Sequence, residues 1–126
     1  MTEEKKKKVL IAEDEEAIRG VLSDALSAAG FDVKLARDGQ EAVMIAAEWS
    51  PDLILLDVLM PRMDGRAALK ELRAAEATAS IPVIFLTNLN ELDAISDAMD
   101  AHVVGYIVKS DWSIGDVVEK VKKHLR

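Results

Sequence analysis

The sequence contains no cysteine. That excludes a disulfide framework, thiol catalysis and thiolate metal sites, and it lends no support to a secreted life. Long hydrophobic runs are missing as well. None approaches the roughly 20 residues of a membrane-spanning helix. The basic run Lys5–Lys8 is followed by only Val9-Leu10-Ile11-Ala12, which is too short for a signal-peptide core. The lysines read as a solvated flank, residues 1–7 as a flexible lead, and the expected setting is the cytoplasm. Positive charge is in short supply: 16 Lys and Arg stand against 23 Asp and Glu, a net charge of -7. Non-specific nucleic-acid binding needs a basic surface to displace counterions, so neither nucleic acid nor membrane is expected as a partner. Repeats, low-complexity tracts and linkers are absent too. The 126 residues therefore read as one domain, 1–126.

What is present is an alternation. Hydrophobic residues make up 50% of the chain and charged ones 31%, an ordinary soluble balance. The run 9–12 is followed by a helical pattern over 15–29, with Ile18, Val21, Leu22, Ala25, Leu26 and Ala29 on one face and Gly30 as the stop. Residues 31–36 alternate, Val33 and Leu35 against Asp32 and Lys34, as a half-exposed strand does. Asp38-Gly39 turns into a second helix, striped by Ala42, Val43, Ala46 and Ala47, that ends near Ser50-Pro51. Leu53-Ile54-Leu55-Leu56 has no polar alternation, the mark of a strand covered on both faces, and it ends in Asp57. A helix over about 66–75 turns Leu69 and Leu72 inward. Val83-Ile84-Phe85-Leu86 is the next buried run, ending in Thr87. A weaker helical stretch carries Leu92, Ile95 and Met99. Tyr106-Ile107-Val108 is the fifth strand, ending in Lys109. Ser113 and Asp116 form a capping-box-like pair before the last helix, whose face is Ile114, Val117, Val118, Val121 and Leu125.

Five strand–helix units in strict alternation imply an α/β domain: a doubly wound five-stranded parallel sheet between helices. The half-polar second strand wants an edge. The order 2-1-3-4-5 puts it there, a flavodoxin-like three-layer α/β/α arrangement. In such sheets ligands bind beyond the carboxyl ends of the strands. Those ends are Glu13-Asp14, Asp57, Thr87 and Lys109. In this order strands one, three, four and five are neighbours, so three carboxylates, a hydroxyl and an ammonium share one rim.

Crowded carboxylates need positive charge. Oxygen-only ligands favour a hard cation such as Mg2+ (or Mn2+). A carboxylate can attack phosphorus to form an aspartyl phosphate, while a cation and a lysine neutralise the phosphoryl oxygens. Singly, each residue has a plainer account. Glu13-Asp14 would suit a helix N-terminus, Asp57 a turn, Thr87 a strand end and Lys109 a solvated edge. Their meeting at one rim favours the chemical account.

Four stretches resemble the response-regulator receiver domains of two-component signalling, over essentially the whole chain. They are Leu10-Ile11-Ala12-Glu13-Asp14-Glu15; Leu55-Leu56-Asp57-Val58-Leu59-Met60-Pro61-Arg62-Met63-Asp64-Gly65; Pro82-Val83-Ile84-Phe85-Leu86-Thr87; and Tyr106-Ile107-Val108-Lys109. The second is the most specific. The resemblance implies a phosphorylation-dependent switch. Asp57 would be the phosphoacceptor. Asp14, Asp57 and the Leu59 carbonyl would hold Mg2+ directly, with Glu13 acting through water. Thr87 and Lys109 would bind the phosphoryl group, and Tyr106 would be the aromatic that turns inward as Thr87 moves. The donor would be a sensor histidine kinase, a histidine phosphotransfer protein or a small phosphodonor. A target protein would read the face of the fourth helix, fifth strand and last helix. The chain would be no enzyme beyond its own phosphorylation and dephosphorylation.

Ser110 departs from the family, which usually has proline there, so a trans bond and a different loop are expected at Lys109-Ser110. Residues 101–105 lack the usual glycine-alanine-aspartate pattern. His102 reads as a surface residue, and Trp49 and Trp112 as packing. Leu59 and Leu89 each stand two residues past a motif residue. Being apolar, they cannot orient an attacking water, so slow self-dephosphorylation is expected. The fourth helix is acidic (Glu91, Asp93, Asp97, Asp100) and the last ends basic (Lys120, Lys122, Lys123, Arg126), which suggests a monomer or a phosphorylation-dependent homodimer. The chain stops at Arg126, so the expectation is either a stand-alone type with output through a partner or one piece of a larger protein. Three other readings compete. A binding module of this fold would work without phosphorylation. An Asp-nucleophile phosphatase resembling the haloacid dehalogenases would need an Asp where Leu59 stands. A flavin carrier would need a glycine- and hydroxyl-rich loop where Glu13-Asp14-Glu15-Glu16 stands.

Overall fold

A computed structural model describes residues 6–88 and 102–125. Along the chain run β1 (Lys8–Ala12), α1 (Glu16–Ala28), β2 (Asp32–Ala36), α2 (Gly39–Trp49), β3 (Leu53–Asp57), α3 (Gly65–Ala74), β4 (Val83–Thr87) and β5 (Val103–Val108). A 3-10 turn (Lys109–Asp111) and the C-terminal helix (Ile114–His124) follow. The strands form one sheet in the order β2-β1-β3-β4-β5. All four neighbouring pairs are parallel. Fold class and strand order are those expected from the pattern of the sequence. The expected fourth helix, with Leu92, Ile95 and Met99, lies outside the described residues, as do Leu89 and residues 1–5 of the lead.

The pleat explains why β1, β3 and β4 read as continuous apolar runs. Successive side chains point to opposite faces, and helices cover both. Leu10, Ala12, Ile54, Leu56 and Phe85 pack with Ala42 and Ala46 of α2 and Leu69 and Leu72 of α3. Val9, Ile11, Leu53, Leu55, Ile84 and Leu86 pack with Leu22 and Leu26 of α1 and Val117 and Val121 of the C-terminal helix. Edge strand β2 keeps Asp32 and Lys34 exposed, as its alternation requires, but Leu35, expected on the covered face with Val33, is 38% exposed. Trp49 packs against the first cluster and Trp112 against the second. The ammonium groups of Lys8 and Lys34 stand 5.5 and 5.3 Å from the Trp49 ring centre. His102 is exposed.

β5 begins three residues earlier than its apolar run suggests. Val83 pairs with Val103 but Ile84 with Gly105, so Val104 is an extra residue where the register shifts. A glycine inside a strand and a bulge together hid the start of the element from a reading based on period.

Helix ends follow local chemistry. Asp38, Asp64 and Ser113 cap α2, α3 and the C-terminal helix by accepting from the amides of Glu41, Ala67 and Asp116. Gly30 follows α1 at a φ of 99°, the left-handed conformation that glycine adopts freely. Gly65 has a different constraint. It opens α3 and its amide donates to the Val58 carbonyl at 2.8 Å. A β-carbon there would collide with the Asp57 carbonyl oxygen. Gly65→Ala should therefore destabilise the fold although alanine is the better helix former. A fall in melting temperature of about 4 °C or more, at least about 1 kcal/mol, is the expected outcome of thermal unfolding.

Candidate functional site

Glu13, Asp14, Asp57, Thr87 and Lys109 sit at the carboxyl edge of the sheet, each at or just past the end of a strand. Glu13 and Asp57 are buried, Asp14 is exposed and Thr87 is buried. Val58, next to Asp57, donates its amide to the Leu86 carbonyl at 3.0 Å, which carries the β3–β4 ladder past the carboxylate. Lys109 opens the 3-10 turn after β5. The peptide bonds of the described residues are all trans, Lys109-Ser110 included. The lysine still reaches the rim. Its Nζ donates to Asp57 Oδ2 at 2.9 Å and to Glu13 Oε1 at 3.2 Å. Glu13 Oε2 is also 2.9 Å from Nζ, a contact of charge without a hydrogen bond, and is otherwise a buried oxygen with no partner.

One carboxylate oxygen from each of Glu13, Asp14 and Asp57 lies within 4.8 Å of the others. Among the described residues only the ammonium of Lys109 pairs with these carboxylates, so full ionisation of all three would leave two charges uncompensated. The cost falls on Asp57. Burial pushes its carboxyl up to about 8; Lys109 opposes the rise by hydrogen bond and charge, and Glu13 adds to it. Burial alone would lower Lys109, but its bonds to Asp57 and Glu13 outweigh that and hold it above the ordinary lysine value. An all-oxygen donor set with excess negative charge and an unpartnered buried oxygen fits a hard divalent cation. Glu13, Asp14 and Asp57 can hold one.

Thr87 and Tyr106 are brought to the same end of the sheet but not into the cluster. The Thr87 hydroxyl donates to the Asn88 carbonyl at 3.0 Å. Tyr106 is 45% exposed. Leu59 is exposed and apolar.

Three supports escaped the sequence reading. Arg19 of α1 donates to the Glu13 and Asp14 carbonyls at 2.8 and 3.3 Å, fixing the backbone that presents both acids. Its place in the first turn of α1, a few residues beyond them, was the available signal. Gly65 backs the Asp57 carbonyl. Arg62, at a φ of 64°, pairs its Nε with Asp38 Oδ2 at 2.7 Å. The left-handed conformation costs a non-glycine residue about 1–2 kcal/mol, so something must hold it. The Glu41 amide and then Arg62 keep the Asp38 carboxyl below the usual range.

The sheet order and the acidic, lysine-bridged rim define a doubly wound α/β domain with a set of carboxylates able to hold a cation at its strand ends. The chain belongs to the response regulator receiver domain family, which matches residues 9–122. It is a receiver domain of two-component, phosphorylation-based signalling. It is similar to the transcriptional regulatory protein PdtaR of Mycobacterium tuberculosis, 39% identical over 92% of this chain and 55% of that one. It is 34% identical to the DNA-binding regulator RpaA of Synechocystis over 94% of this chain and 49% of that one. The chain thus spans about half the length of the curated relatives it matches. Among solved structures it resembles the receiver domain of a sensor histidine kinase of Pseudomonas aeruginosa, with 28% identity and a TM-score of 0.84 over 96% of this chain and 98% of that one. A magnesium ion is coordinated in that protein's active-site cleft.

The raised Asp57 value has a signed consequence. The folded state keeps the proton over a range where the unfolded chain has lost it. The cluster therefore costs no stability below about pH 4, the ordinary carboxyl value. The cost grows as pH rises toward about 8 and persists above that. Without divalent cations, Asp57→Asn should melt higher than the wild type, by a margin that widens from about pH 5 to about pH 8. Thermal melts in chelator across that range check this; a margin independent of pH contradicts it.

Proposed function

We propose that this chain is a phosphorylation switch whose phosphoacceptor is Asp57, charged by a sensor histidine kinase, a histidine phosphotransfer protein or a small phosphodonor. One observation carries the reading. Asp57 is buried at a strand end within 2.9 Å of the Lys109 ammonium and in a cluster with two further carboxylates. A carboxylate oxygen of Asp57 attacks phosphorus as the bond to the donor's nitrogen or oxygen breaks, and the donor leaves with that electron pair. A Mg2+ or Mn2+ ion held by Asp14, Asp57, the Leu59 carbonyl and, through water, Glu13 would supply positive charge against the phosphoryl oxygens.

The chain's own groups do the rest. Lys109 already bridges Glu13 and Asp57 and keeps its charge, so it can turn to a phosphoryl oxygen without crossing the site. Thr87 exchanges its bond to the Asn88 carbonyl for one to another phosphoryl oxygen. Tyr106, exposed in this resting arrangement, follows inward. These moves would reshape the face of the fourth helix, β5 and the C-terminal helix, where a target protein, or a second copy, reads the state. The basic end of that helix is real: with burial, Lys120 and Lys123 hold His124 below its ordinary value. Its acidic complement on the fourth helix lies outside the described residues.

A cytoplasmic setting fits a chain in which, among the described residues, no helix is long and apolar enough to cross a membrane. No nucleic-acid contact is proposed for this domain, whose net charge is -7. Catalysis extends only to its own phosphorylation and dephosphorylation. The phosphorylation-independent binding module has less support, because Lys109 reaches Asp57 despite Ser110.

Acetyl phosphate and Mg2+ should give a hydroxylamine-labile adduct that mass spectrometry places on Asp57 and that Asp57→Asn lacks. An unmodified wild type overturns the reading. Apolar Leu59 and Leu89 leave no side chain to orient an attacking water. The phosphoprotein should therefore decay slowly, and Leu59→Asn should speed decay by up to about a hundredfold, the low end of what a positioned proton acceptor contributes. Loss of phosphoprotein on Phos-tag gels gives the rate.

A further inference from the structure

We propose that the Asp38–Arg62 ion pair is a positioning device for the cation site, fixing the loop after Asp57 so that its backbone is presented ready-made to the ion. The inference rests on the reading of Glu13, Asp14, Asp57 and the Leu59 carbonyl as cation ligands. Residues 59–61 are bracketed. On one side Val58 is tied twice, its amide to the Leu86 carbonyl at 3.0 Å and its carbonyl to the Gly65 amide at 2.8 Å. On the other, the loop leans on the start of α2. The Gly39 amide donates to the Met63 carbonyl at 3.0 Å, and Arg62 Nε reaches Asp38 Oδ2 at 2.7 Å. A β-carbon on Gly39 would collide with that Met63 carbonyl, so the two backbones are in direct contact. Asp38 is itself fixed, since its other oxygen caps α2 through the Glu41 amide at 2.8 Å.

The arginine is not what stability alone would select. Its side chain is 59% exposed while that of Asp38 is 9% exposed, so it buries little apolar surface. Its φ of 64° is one that glycine or asparagine adopts more cheaply. What arginine adds is a directed, charge-assisted bond to a carboxylate that cannot move. That bond holds the far end of the segment carrying the Leu59 carbonyl. Partners that orient ligands in this way commonly govern affinity without touching the ion.

The test is Mn2+ titration followed by the paramagnetic resonance signal of the free ion, alongside melts without cation. Arg62→Ala and Arg62→Gly should each bind Mn2+ roughly tenfold more weakly than wild type, and Arg62→Lys should recover most of the loss. The melting temperature of Arg62→Gly should stay at the wild-type value, because glycine relieves the backbone. Unchanged Mn2+ affinity in the alanine and glycine variants overturns the proposal. A wild type that binds no Mn2+, or an Asp57→Asn variant that binds as tightly as wild type, overturns instead the reading of the site on which it rests.

Discussion

Three carboxylates converge on one lysine at the carboxyl edge of this sheet, and most other features either create that crowding or make it tolerable. Glu13, Asp14 and Asp57 come within 4.8 Å of one another, and Lys109 bridges the two buried ones. Like charges at this distance repel strongly when water is excluded. Only the rigidity of β1 and β3, packed on both faces, keeps them there. The same strain makes the site useful. A cation that enters relieves an existing cost, and the protein need not reorganise to receive it.

Around this cluster lie contacts of a different kind, made by backbone and loops. Arg19 holds the carbonyls of the β1 acids, Gly65 lets α3 start against the Asp57 carbonyl, and Arg62 ties the intervening loop to α2. Each fixes the chain on which an acid or a carbonyl is mounted. By contrast, Thr87 and Tyr106 are placed but uncommitted, one bonded to its neighbour's carbonyl and the other turned to solvent. A rigid receiving end beside two groups free to change partners is what a switch requires.

Much of this was legible in the sequence because it rests on short-range pattern. Unalternating runs such as Leu53-Ile54-Leu55-Leu56 marked strands covered on both faces, and the half-polar β2 marked an edge. The strand ends then identified the rim without any contact being known. Less legible was β5, where Gly105 and the bulged Val104 interrupt the apolar period. Ser110 pointed to a trans bond, which the structure has, and the 3-10 turn that follows β5 still delivers the lysine. The supporting contacts made by residues far apart in sequence were not readable. Asp38 and Arg62 are 24 residues apart, and nothing in either stretch announces a partner in the other. A glycine inside a familiar motif likewise gives no hint of which carbonyl it accommodates.

The account stands on Asp57 being a buried acid held in a charge deficit that a divalent cation relieves. Carbon-13 NMR titration of the Asp57 carboxyl, with and without Mg2+, measures this directly. Without cation the carboxyl should titrate at about 8. With Mg2+ the midpoint should fall well below neutrality, because a bound cation favours the ionised form. A midpoint near the ordinary carboxyl value of about 4 without cation, unmoved by Mg2+, would contradict the account.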